Sequence, residues 1–120
     1  MKNLVMVVDD KPEIRNLLKM FLFDEFQVIT ASNGLEALEI LKNGELPDSI
    51  ISDIQMPDMD GKMFLQKLKL SQAFKHIPVM ILSSIDNTTE RIKLLRGGAD
   101  EYIVKPFSPE ELKVRLAKIM

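Results

Sequence analysis

Cysteine and tryptophan are absent from this chain, histidine and tyrosine occur once each, and no basic run of five residues exists. Without cysteine there is no disulfide, no thiol nucleophile and no thiolate metal site. Sixteen Lys and Arg face 18 Asp and Glu, for a net charge of −2, and aromatics are few. A direct nucleic-acid surface would therefore lack both its electrostatic pull and its stacking platforms. Long apolar runs are missing as well. Leu4 to Val8 is broken at once by Asp9, Asp10 and Lys11. It is too short for a signal-peptide core or a membrane span, so the expectation is a cytoplasmic chain with no membrane contact.

What remains is 120 residues, 46% hydrophobic and 28% charged, the make-up of one domain over residues 1–120 with a real core. Short apolar runs stand at Leu4 to Val8, Ser49 to Ser52, Val79 to Leu82 and Tyr102 to Val104, with a weaker one at Gln27 to Ala31. Such runs suit strands buried on both faces. Between them lie segments with helical spacing. The first carries Ile14, Leu17, Leu18, Phe21 and Leu22, the second Leu35, Leu38 and Leu41, and the third Phe64, Leu65 and Leu68. Ile92 with Leu95, then Leu112 with Leu116 and Ile119, complete the set. Pro12, Asn33-Gly34 and Ser108-Pro109-Glu110-Glu111 stand where helices should begin.

Five strands alternating with five helices predict an α/β fold, because parallel strands need long right-handed crossovers. The chain is too short for an eight-fold barrel. An open, doubly wound parallel sheet with helices on both faces binds ligands outside the carboxyl ends of its strands.

At those ends the sequence places Asp9 and Asp10, Asp53, Ser83 and Lys105. Singly, each has a bland explanation: acids favouring a helix's positive end, a loop-opening aspartate, turn serines, a solvated lysine. Together they point to a site. Three converging carboxylates repel one another, so a cation should neutralise them. Oxygen-only ligands in a shallow, wet site suit Mg²⁺ better than a full protein cage for Ca²⁺. Lys105 adds a mobile point charge for a phosphoryl or carboxylate group.

Four segments carry a resemblance: Val7-Val8-Asp9-Asp10, Asp53-Ile54-Gln55-Met56-Pro57-Asp58-Met59-Asp60-Gly61, Leu82-Ser83-Ser84, and Gly98-Ala99-Asp100-Glu101-Tyr102-Ile103-Val104-Lys105-Pro106-Phe107. In this order and spacing the chain resembles the receiver domain of two-component response regulators, most like a single chemotaxis-type receiver. The resemblance implies a flavodoxin-like sheet of strand order 2-1-3-4-5. It makes Asp53 the phosphoacceptor, attacking a phosphohistidine on a sensor histidine kinase or phosphotransfer protein. By the same likeness Asp10 and Asp53 hold Mg²⁺ directly, Asp9 acts largely through a bound water, and the backbone carbonyl of Gln55 supplies another oxygen. Lys105 pairs with the new phosphoryl group, Ser83 hydrogen-bonds it, and Lys105-Pro106 is cis. Ser83 and Tyr102 form the switch that reshapes the face of the fourth helix, fifth strand and fifth helix. That face would meet a downstream target, an output domain or a second copy.

Some positions stand apart from this pattern. An apolar Ile85, two places after the hydroxyl, should obstruct the attacking water and lengthen the life of the phosphoryl group. His76 precedes the fourth strand and should lie at the sheet's far edge, which speaks against an internal phosphorelay. Met56, Met59 and Met63 are candidates for an adaptable docking patch. The competing functions are a small-molecule phosphatase, disfavoured by Gln55 where a second aspartate is needed, and a receiver-like interaction module that takes no phosphate. The only catalysis expected acts on the chain's own aspartate. The sequence stops at Met120, where the fifth helix should end, which fits either a stand-alone regulator or the receiver portion of a longer one.

Overall fold

The computed structural model describes residues 2–120. The elements alternate: β1 (Asn3–Val8), α1 (Pro12–Leu22), β2 (Phe26–Ala31), α2 (Gly34–Lys42), β3 (Ser49–Asp53), α3 (Gly61–Leu70), β4 (Val79–Ser83), α4 (Thr88–Arg96), β5 (Glu101–Val104) and α5 (Pro109–Ile119). All strand pairs are parallel, in the order β2-β1-β3-β4-β5. The repeating pattern predicts the doubly wound parallel sheet, and the resemblance implies its flavodoxin-like strand order.

Two apolar layers flank the sheet, one for each side-chain direction of its central strands. Val5, Val7, Ile51, Met80, Leu82 and Ile103 face Leu18 and Leu22 of α1 and Leu112 and Leu116 of α5. Met6, Val8, Ile50, Val79, Ile81 and Tyr102 face the side covered by α2, α3 and α4, where Leu41, Phe64, Leu68 and Leu94 pack. Burial on both faces is why β1, β3 and β4 read as continuous apolar runs. β2 lies at the sheet's edge and is only half-buried through its middle, which accounts for its weaker pattern.

Helix starts are fixed locally. The side chains of Asn33, Asp60, Asn87 and Ser108 accept from the backbone N–H three residues on, at 2.9, 2.9, 3.1 and 3.3 Å respectively. A cap of this kind contributes about 1 kcal/mol. Pro12 and Pro109 sit in the first turn, where no N–H partner is lost.

Three expectations need correction. Leu35 in α2, and Ile92 and Leu95 in α4, do not face the core; they are 49%, 43% and 39% exposed, and Leu94 is the buried residue of α4. α4 is largely polar, so a single buried leucine anchors it. Met56 and Met59 cannot form an adaptable surface patch, because both are buried in the core and only Met63 is exposed.

The register has a direct consequence for the site. Val8 pairs with Ala31 and Ser52, Asp53 with Leu82, and Ser83 with Val104. In a parallel sheet such pairings bring the carboxyl ends level, so the residues that close β1, β3, β4 and β5 share one edge.

Candidate functional site

Asp9 follows β1 directly and is almost fully buried. Its Oδ1 accepts from the Lys11 N–H at 2.9 Å, and its carbonyl accepts from Arg15 Nη1 at 2.7 Å. Burial pushes the Asp9 carboxyl above its ordinary value; the Lys11 N–H pulls it down, Asp53 raises it, Lys105 lowers it and Asp10 raises it. Desolvation dominates, as it does for a carboxylate taken out of water faster than it gains partners.

Asp53 ends β3 and is also buried, and its Oδ1 accepts from the N–H of Ile54 at 2.9 Å. That bond restrains rotation of the carboxyl group. Lys105 Nζ reaches both acids, 3.3 Å from Asp53 Oδ1 and 3.5 Å from Asp9 Oδ2. The Lys105-Pro106 bond is cis. Carboxylate oxygens of Asp9, Asp10 and Asp53 lie within 4.8 Å of one another. One ammonium group thus contacts two of the three crowded carboxylates. Asp10 Oδ1 is buried without a hydrogen-bond partner.

The chemistry of these atoms fits a cation. An orphaned buried oxygen, a crowded acidic trio and an all-oxygen donor set are what a hard divalent ion satisfies. Asp10 and Gln55 line an adjoining hollow of about 520 Å³, which also touches Ile85.

Ser83 closes β4, is buried, and accepts from the Ile85 N–H through Oγ at 3.0 Å. As acceptor in that bond, the hydroxyl keeps its proton to donate elsewhere. Tyr102 is buried on the α4 side of the sheet, with its hydroxyl on the Ile85 carbonyl. His76 is exposed in the segment that leads into β4, at the opposite edge from Asp53.

Two contributors carried no separate signal in the sequence. A Cβ at Gly61 would lie 2.3 Å from the Asp53 carbonyl oxygen and 2.7 Å from Ile54 Cα, so only glycine lets α3 begin against the end of β3. The Gly61 N–H donates to the Ile54 carbonyl at 2.7 Å. Its place in the Asp-Gly pair at the end of the acidic motif was the only hint. Lys62 and Glu90 form an ion pair from α3 to α4 beside the hollow, and the contact with Glu90 holds Lys62 above its ordinary value.

Comparison with known proteins resolves the family. The family model for the response regulator receiver domain matches residues 5–117. The chain belongs to this receiver family.

Among its relatives, response regulator Rre1 of Synechocystis sp. is 38% identical over 118 residues, covering 97% of this chain and 51% of that protein. Sensor histidine kinase TmoS of Ectopseudomonas mendocina is 35% identical over 116 residues, covering 97% of this chain and 12% of that one. The chemotaxis response regulator CheY4 of Vibrio cholerae matches over 100% of both chains, with a TM-score of 0.91 and 31% identity. The chain therefore spans about half of the regulator and a small part of the kinase. It is a receiver domain of two-component systems, a phosphoacceptor signalling module of a type found in response regulators and in kinases, and its acidic edge fits the phosphoacceptor site. Among the described residues, no helix is long and apolar enough to cross a membrane.

Proposed function

We propose that the receiver, over residues 1–120, takes a phosphoryl group onto Asp53 from the phosphohistidine of a sensor histidine kinase or phosphotransfer protein. A carboxylate oxygen of Asp53 forms the new O–P bond as the P–N bond breaks. The imidazole leaves with the electron pair and takes a proton from water. The observation that carries this reading is the contact of Lys105 Nζ with Asp53 Oδ1 at the one edge where three carboxylates converge.

Each side chain has a task set by its surroundings. Ile54 N–H holds the Asp53 carboxyl group in place. Lys105, already within reach of Asp53, offsets charge on the transferred group, and Ser83 turns its hydroxyl proton toward a phosphoryl oxygen. Asp10, Asp53, the Gln55 carbonyl and, through water, Asp9 are the groups to hold Mg²⁺, which when bound supplies positive charge against the acids and the transferring group. The reaction turns over no separate substrate and acts on the chain's own aspartate.

The output is a change of surface. Ser83 holds the N–H of Ile85 and Tyr102 its carbonyl, so a pull on the Ser83 hydroxyl reaches β5. Ile92, Leu95 and Val114 are exposed on α4 and α5, an apolar face for a downstream protein, an output domain or a second copy. Phosphorylation shifts this face between pre-existing shapes through its different contacts in each. The setting is the cytoplasm, where kinases form phosphohistidine from ATP.

The test is incubation with Mg²⁺ and a small acyl-phosphate donor, followed by intact mass measurement. Wild type should gain one phosphoryl group and Asp53→Asn none; an equal gain in both would remove Asp53 from the role.

A further inference from the structure

Positive charge is distributed unevenly for a chain of net charge −2. α3 carries Lys62, Lys67 and Lys69 and no acid, while α4 carries Arg91, Lys93 and Arg96 against Glu90 alone. Between the two helices runs a groove of about 550 Å³. Its apolar lining is Leu65, Leu70 and Leu94, and Lys62, Lys69 and Lys93 stand along it. Leu65 and Leu94 are buried, whereas Leu70 is 77% exposed, a large apolar side chain left in water. Lys69 Nζ donates to the carbonyls of Lys75 and Ile77, at 3.2 and 3.1 Å.

We propose that this groove docks an acidic amphipathic helical segment of a partner protein. The apolar strip takes the segment's leucine-like face, and the lysines take carboxylates along its flanks. A nucleic-acid backbone would use the lysines but leave Leu70 and its neighbours uncovered, and no aromatic side chain lines the groove for a base to stack on. The surface is distinct from the one bearing Ile92, Leu95 and Val114.

Glu90 is the groove's one acid and pairs with Lys62, so it sets the sign of two opposing tests. The probe is a fluorescein-labelled helical peptide with leucines on one face and glutamates on the other. It is titrated against a version with lysine for glutamate and against random-sequence duplex DNA. The glutamate peptide should bind, with backbone amide shifts confined to 62–70 and 90–97. Lys93→Glu should weaken it about fivefold and Glu90→Gln tighten it about twofold, magnitudes typical of exposed charge pairs. Leu70→Ser, at an exposed position that does not support the core, should weaken it about fivefold. A general loss of structure cannot produce the tightening. Equal binding of the lysine peptide, a preference for DNA, shifts centred on β5 and α5, or charge variants that move affinity the same way would each overturn the assignment.

Discussion

The Tyr102 hydroxyl donates to the carbonyl of Ile85 at 2.8 Å, and the N–H of Ile85 donates to Ser83 Oγ at 3.0 Å. One peptide segment after β4 is thereby held both by the hydroxyl at the acidic edge and by the aromatic ring of β5. Tyr102→Phe removes one of these ties. The loss should cost about 1 kcal/mol, or about 3 to 6 °C in Tm, and should speed amide hydrogen exchange at Ile85. Unchanged exchange there would separate Tyr102 from the loop.

Ile85 borders the hollow beside Asp10 and Gln55. An apolar side chain there offers nothing to orient a water for attack on an acyl phosphate, and a carboxylate would. Ile85→Glu should release phosphate faster, by on the order of tenfold, equivalent to about 1.4 kcal/mol of barrier. A phosphate-release assay on the phosphorylated proteins decides it, and equal or slower release in the variant counts against the idea.

Burial raises Asp9 in the folded state above its ordinary value of 3.8. The folded protein then binds more protons than the unfolded chain between those values. This group's contribution to stability is present below the unfolded pKa and is lost as pH rises through the folded one. Mg²⁺ competes with that proton, so it should raise Tm more at neutral pH than under acid conditions in which the carboxyl is protonated. Asp10→Asn, which thins the acidic cluster, should raise Tm by about 3 °C without Mg²⁺ and abolish the Mg²⁺ increment. Calorimetry with and without the ion reads both effects, and an increment retained in the variant would place the ion elsewhere.

Gly61 and Gly44 separate two reasons for glycine. A Cβ at Gly61 meets the Asp53 carbonyl at 2.3 Å, while at Gly44, with φ +97°, it meets nothing within 4 Å. Gly44→Ala should cost about 1 kcal/mol from backbone conformation alone. Gly61→Ala should cost about 3 kcal/mol or more and depress phosphorylation as well, because it displaces the end of β3. Urea denaturation of the pair provides the comparison, and equal costs would show that the close approach is relieved without effect on Asp53.

Burial on both faces writes a continuous apolar signal into the sequence. β1, β3 and β4 are apolar on both faces, Asp9 follows β1, Asp53 and Ser83 end β3 and β4, and Lys105 follows β5, so both the sheet and its acidic edge were legible. β2 and α4 lie half outside the core, and their patterns weaken accordingly. Ile92 and Leu95 have helical spacing but form an exposed face, and spacing alone cannot tell an interface from a core. Met59 is buried because its loop folds back over α2, with its Cγ 3.0 Å from where a Cβ at Gly34 would lie. The Lys62–Glu90 pair joins two helices, and no local pattern relates residues across such a gap.

Trapping the acyl phosphate fixes which side chain carries the phosphoryl group. Reduction with borohydride converts a phosphorylated aspartate to homoserine, which peptide sequencing by mass spectrometry locates. After treatment with an acyl-phosphate donor and Mg²⁺, homoserine should appear at position 53 alone, and it should vanish with EDTA or in Lys105→Ala. Homoserine at position 9 or 10, or none at position 53 in a folded wild-type protein, would contradict the account.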